Sequence, residues 1–285
     1  MGITLGANQY GKAETRLVHV ARGGESHTLT DLNVSVALTG DLADVHLSGD
    51  NGHVLPTDTQ KNTVYAFARQ YGIGSVEAFG LRLARHFVDS QEPIHAARVR
   101  LDSYAWTRLG PHSFQRDGAE VRTATVTYDG SRATVVSGVT DLVLLNSTGS
   151  EFVDFARDGY TTLAPTTDRI LATAVTARWR YASAEGDWDA SHAAVRSLLV
   201  GAFVDTYSRS LQQTLYAMGE RVLTGRPDVV EVRLSMPNRH HFAVDLTPFG
   251  LDNPNEVFFA ADRPYGLIEG TVLRDDAPAA GLAWW

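Results

Sequence analysis

The sequence predicts an α+β fold of two tandem ββααββ units, each an antiparallel sheet with helices on one face. Three observations predict it. Apolar and polar residues alternate in strand-like runs, a pair of helix-like stretches interrupts those runs, and the same order of elements returns in the second half. At 285 residues the chain is long enough for one large or two ordinary domains, and the expected division is 1–130 and 131–285. The halves share no residue-level identity, so the repeat is one of element order.

In the first half, Leu32, Val34, Val36 and Leu38 alternate with Asn33, Ser35 and Ala37, the period of a half-buried strand. Thr57-Asp58-Thr59-Gln60 then has the form of a capping box and places Thr57 as the cap of a helix running through Asn62 to Arg69. Ser75 is the expected cap of a second helix, because Val76, Phe79, Leu83 and Phe87 form one apolar stripe. Strand-like sequence resumes at Val99-Arg100-Leu101 and at Val121 to Tyr128, where Thr123, Thr125 and Thr127 share one face.

In the second half, Arg132 to Leu145 and Ile170 to Tyr181 read as strands. Two helices follow, Ser191 to Tyr207 and Leu211 to Leu223, the second stopped by Gly225-Arg226-Pro227. Val229 to Leu234, His241 to Leu246 and Gly266 to Leu273 close the chain as strands.

Composition removes several classes of function. With 25 Lys+Arg against 33 Asp+Glu the net charge is −8, which is not the footprint of a nucleic-acid binder. No apolar run approaches the roughly 18 residues that cross a bilayer. A count of 0 Cys excludes disulfides, a thiolate nucleophile, iron–sulfur clusters and Cys-type zinc. The start, Met1 to Gly6, lacks a basic-then-apolar signal and the end, Leu282 to Trp285, is not a peroxisomal tripeptide, so a cytoplasmic protein is expected. No dinucleotide, Walker or zincin motif is present. His240 and His241 are adjacent and would point to opposite faces of a strand, so no metal site is expected from them.

Taken singly, the polar residues read plainly: Thr57 as a helix cap, Lys12 as a solvated turn lysine after Gly11, Arg169 with Asp168 as a surface pair. Gln212 reads as a polar helix position, Phe152 as core and His240 as a strand histidine. Eight runs in order change that reading. They are Gln9 to Lys12, Thr57 to Tyr65, Pro111 to Phe114, Ser147 to Phe152, Arg157 to Leu163, Thr167 to Leu171, Gln212 to Tyr216 and Pro237 to His240. Together they span nearly the whole chain, and in them the sequence resembles the urate oxidase (uricase) family, in its bacterial form.

The resemblance implies the tunnelling fold (T-fold), which is two tandem ββααββ units. It implies a factor-independent urate hydroxylase with no cofactor and no metal, O2 as co-substrate, and a homotetramer whose active sites lie at subunit interfaces. Lys12, Thr57 and His240 would be the catalytic proton relay. Arg169 and Gln212 would grip the purine edge, Phe152 would stack on its face, the backbone NH groups of Asp58 and Leu211 would complete the grip, and Asn238 would help hold oxygen or water. In such tetramers Lys12 and Thr57 come from one chain and Arg169, Gln212, Phe152 and Asn238 from another. Arg239 stands between Asn238 and His240 where Lys is common in the family.

The chemistry suits those residue types. Urate is a flat anion, which fits a planar guanidinium donating two parallel hydrogen bonds, and an amide can both donate to and accept from a urea-like edge. O2 reacts slowly with closed-shell molecules, so without flavin or metal the substrate must become the electron donor by losing a second proton. A Lys serving as that base must be neutral, which burial and a nearby cation favour. Two other readings stand beside this one: a pterin- or GTP-acting enzyme of the same fold, which would hold zinc and an acidic anchor, and a non-catalytic purine-binding protein.

Overall fold

The computed structural model describes residues 2–261 and 263–285; Met1, part of the N-terminal stretch read above, lies outside them. Contacts divide the chain into two compact units. Among the described residues the first comprises 2–138, 180–192 and 278–285, and the second 139–179, 193–261 and 263–277.

In the first unit the strands β1 (Tyr10–Ala21), β2 (Thr28–Gly40), β3 (Ile94–Arg108) and β4 (Phe114–Tyr128) lie side by side in chain order, each pair antiparallel. The alternation expected around Leu32 to Leu38 is the inward face of β2: Leu32, Val34 and Leu38 are fully buried. A short helix, α1 (Ala43–Leu47), buries nothing; the helices α2 (Thr57–Tyr71) and α3 (Val76–Asp89) cover the sheet, α2 against β1 and α3 against β3 and β4. The apolar stripe of α3 is inward, with Phe79, Leu83 and Phe87 fully buried. Gly80 lets α3 approach closely, since a Cβ there would sit 2.9 Å from both Leu101 and Val126. Ser75 caps α3 as expected, its hydroxyl accepting from the Ala78 NH at 3.3 Å. The carboxylate of Glu77, buried in the same turn, is satisfied by Arg122 at 2.7 Å and by the Ser137 hydroxyl.

The cap expected at Thr57 is not formed. Pro56 occupies the cap position, with φ −53 and ψ 139, and Thr57 is the first residue inside α2. A proline ahead of the helix fixes the entry, and it carries no cap side-chain bond. Gln60, instead of reaching back to a cap NH, is buried and donates Nε2 to the Leu55 carbonyl at 3.3 Å. Among the described residues no hydrogen bond ties down the Thr57 hydroxyl.

The chain passes through β5 (Ala133–Asn146) and β6 (Leu171–Tyr181) and then the helices α4 (Trp188–Asp205) and α5 (Leu211–Gly225). In the second unit α5 packs against β7 (Val229–Asn238) and β10 (Gly266–Leu273), which pair antiparallel, while β8 (His241–Ala243) and β9 (Phe258–Ala260) form a separate small ribbon. The strand expected over His241 to Leu246 is therefore shorter, because Asn253 takes the Val244 carbonyl and folds the chain back at Asn253-Pro254-Asn255. The C-terminal residues belong to the first unit. Arg180 donates to the Pro278 carbonyl at 2.9 Å and the Arg98 guanidinium lies 5.0 Å from the Trp285 ring.

Candidate active site

Past β5 the second unit laces three loop segments together. Ser150 sits beside Ser208, with the Glu151 NH donating to the Ser208 carbonyl at 2.8 Å and the Ser208 NH to the Gly149 carbonyl at 2.9 Å. Phe152 and Thr166 exchange both backbone hydrogen bonds, at 2.8 and 3.0 Å, and the Arg169 NH donates to the Ser150 carbonyl at 3.0 Å. The helix α5 starts directly after this knot, capped by the Ser210 hydroxyl, which accepts from the Gln213 NH at 3.2 Å.

These segments wall a cavity of about 470 Å³, lined by Phe152, Arg169, Leu211, Gln212, Asn238 and His240 together with Asn255, Phe258 and Ile268. That size suits a small ring-shaped molecule. The Arg169 guanidinium is half-buried, donates Nε to the Ser150 hydroxyl at 3.1 Å, and stands 5.2 Å from the Phe152 ring. Phe152 is itself stacked on Phe155, centroids 5.0 Å apart and planes 9° apart.

The electrostatics favour an anion. The first intrahelical bond of α5 comes from Thr214, so the NH groups of Leu211 and Gln212 are left without helical partners at the positive end of the helix dipole. Asp168 does not pair with Arg169, as a surface pair would require. Its carboxylate accepts from Thr148 at 2.7 Å and Asn255 at 3.3 Å, leaving the guanidinium fork to the cavity. Burial, and then the Arg169 charge beside it, push His240 below the ordinary imidazole value of 6.5, which favours the neutral ring. His240 stacks on Phe242, 5.7 Å apart, and Arg239 is exposed. Among the described residues no three His, Asp or Glu side chains converge as metal ligands.

The first unit gathers the other predicted residues. Lys12 lies opposite Val36 on β2, which lies opposite Val99 on β3, and both valines are buried on the helix-covered face. A bulge follows at once: the β1–β2 register shifts between Lys12 and Thr15, Glu14 has φ 56, and its NH donates to the Ser35 hydroxyl at 2.9 Å. The Tyr10 hydroxyl donates to the Leu55 carbonyl at 3.1 Å and ties β1 to the start of α2. Asp58 is held below the usual carboxylate range chiefly by its hydrogen bond from Lys61, with the Lys12 charge adding to it. In α2 the first intrahelical bond is donated by Gln60, which leaves the Thr57 and Asp58 NH groups open. The structure thus brings Lys12, Thr57 and Asp58 together in one unit, and Phe152, Arg169, Leu211, Gln212, Asn238 and His240 together in the other.

Comparison with known proteins gives these two groups a setting. A family model described as Uricase matches residues 8–127 and 135–269. The chain belongs to the uricase family. Uricase of Arthrobacter globiformis is 52% identical over 284 residues, covering 99% of this chain and 94% of that one, and uricase of Dictyostelium discoideum is 38% identical, covering 95% and 98%. The crystal structure of the Arthrobacter globiformis uricase superimposes with a TM-score of 0.97, covering 100% of this chain and 99% of that one. Urate oxidase of Bacillus sp. TB-90, at 22% identity, shares the fold with a TM-score of 0.81. Membership makes the chain an oxidoreductase of the urate oxidase class on the α+β T-fold, as the resemblance implied.

Among the residues lining this cavity that the sequence did not mark as site residues are Asn255, Phe258 and Ile268. Asn255, with φ 58, belongs to the Asn253-Pro254-Asn255 turn, whose sequence is itself a turn signal. Phe258 and Ile268 carry only the signature of strand apolar positions, which does not distinguish a cavity wall from core.

Proposed function

We propose that the chain oxidises urate with O2 and water to 5-hydroxyisourate and hydrogen peroxide, without a cofactor. The observation that carries this is the second-unit cavity, where a guanidinium fork, an amide, an aromatic face and the open end of a helix converge on one space. In this reading Arg169 and Gln212 hold the edge of the purine anion, Phe152 covers its face, and the NH groups of Leu211 and Asp58 complete the grip. Asn238 helps hold O2 or water above the ring.

Lys12 takes the second proton of urate, the Thr57 hydroxyl passes it, and neutral His240 receives it. The hydroxyl of Thr57 suits a relay because the helix does not use it as a cap. The urate dianion gives one electron to O2; the radical and superoxide combine, peroxide leaves, and water adds to give the product. One urate, one O2 and one water become one 5-hydroxyisourate and one peroxide, so atoms and electrons balance. The active assembly in this reading is a homotetramer, in which Lys12 and Thr57 of one chain meet the cavity of another.

Calorimetry with urate under argon tests the ligand assignment. Saturable binding that weakens at least tenfold in Arg169→Ala is expected, the size of a lost charge-assisted contact. No urate binding by the wild-type protein would overturn the assignment.

A further inference from the structure

Ser150 lies in one of the runs that carry the family resemblance, yet none of the roles above falls to it. Its side chain is fully buried, and so are those of Ser208 and Thr214. Buried hydroxyls cost folding free energy unless each finds a partner. All three do: Arg169 Nε donates to Ser150 Oγ at 3.1 Å, the Thr214 hydroxyl donates to Ser208 Oγ at 2.8 Å, and the Ser208 hydroxyl donates to the Ser210 carbonyl at 3.1 Å, at the cap of α5. Ser150 and Ser208 face each other across a parallel bridge. One buried knot therefore fixes both the guanidinium and the helix end that border the cavity.

A free guanidinium can meet a planar anion by its side, through Nε and one Nη, or by its end, through both Nη groups. With Nε occupied by Ser150, the side approach is closed and the two Nη groups are what remain for the cavity. We propose that Ser150 is a positioning residue for substrate recognition, holding Arg169 so that it grips the purine anion end-on. This rests on the reading of Arg169 as the urate clamp. Ser150 acts through Arg169 and touches no reacting atom, so its loss affects binding rather than the chemical step.

The test is a double-mutant cycle in urate turnover and in binding of the inhibitor 8-azaxanthine, with Ser150→Ala, Arg169→Ala and the pair. Ser150→Ala should raise KM and the inhibitor Kd roughly tenfold while kcat stays within about twofold. In the Arg169→Ala background, Ser150→Ala should change neither constant further, because its only route to the ligand is gone. An equal loss in both backgrounds would mean that Ser150 merely supports the loop, and an unchanged KM in Ser150→Ala with thermal stability kept would also overturn the proposal. Wild-type turnover of urate, measured first, separates this from a failure of the functional reading. Ser150→Thr, which restores the hydroxyl, should recover part of the affinity, and no recovery from a folded Thr variant would count against the proposal.

Discussion

At the level of single residues, the separation of binding from proton transfer gives the sharpest expectations. Lys12→Met should lower kcat by roughly 100-fold or more while sparing the affinity for 8-azaxanthine, the size of losing a positioned base; near wild-type turnover in a stopped-flow assay would remove Lys12 from the mechanism. His240 is held below 6.5 by burial and by Arg169. Arg169→Ala should therefore move the His240 titration upward in an NMR pH series, and an unmoved value would mean that the guanidinium does not act on it. The same shift sets a sign for stability. Its folded value lies below its unfolded one, so between the two the unfolded chain binds more protons, and the stability contributed is lost as pH falls from about 6.5. His86, lowered by burial, acts in the same direction. At this scale the sequence revealed which residues to watch through the order of whole runs, since Lys12, Arg169 or Phe152 alone is an ordinary side chain. It misplaced Thr57 by one position, because Pro56 took the cap, and it left Ser150 silent, because a buried serine announces itself only through its partners.

The next scale up, that of strands and helices, ties the site to backbone features. Gly11 precedes Lys12, and a Cβ there would lie 1.8 Å from the Val36 carbonyl oxygen, so β1 reaches β2 only with glycine at that point. Gly11→Ala should destabilise the protein by roughly 1–3 kcal/mol, the usual cost of overpacking, and depress turnover by moving Lys12; a thermal melt and an assay on the same sample check both. Ser75→Ala removes the cap of α3 and should cost about 1 kcal/mol. An unchanged unfolding midpoint in urea would show the cap to be idle. The long elements were legible because burial is one-sided along them, as in Leu32 to Leu38 and in the Val76 to Phe87 stripe. Strand β1 was not singled out, since its neighbouring Arg16, Leu17, Val18 and His19 mix charge with apolar residues and only Leu17 is buried. The ribbon of β8 and β9 is three residues long on each side, too short for any period to register.

For the molecule as a whole, the arrangement of functional groups in two separate units is what matters most. Lys12, Thr57 and Asp58 belong to one unit, while Arg169, Gln212 and His240 belong to the other, so the proposed tetramer supplies a concrete expectation. Light scattering coupled to size exclusion should return four times the 31.0 kDa chain, and activity should fall on dilution to monomers. A fully active monomer would contradict the shared site. The tandem order of elements was visible in the sequence, whereas the way segments 180–192 and 278–285 join the first unit was not, since long-range packing leaves no local period.

The most direct measurement follows the loss of urate ultraviolet absorbance together with O2 uptake and peroxide release, on chelator-treated protein checked for metals. Urate, O2 and peroxide in equal amounts, at a rate insensitive to the chelator, is the predicted result. Tight urate binding without turnover, or turnover that returns only with added metal, would contradict the account.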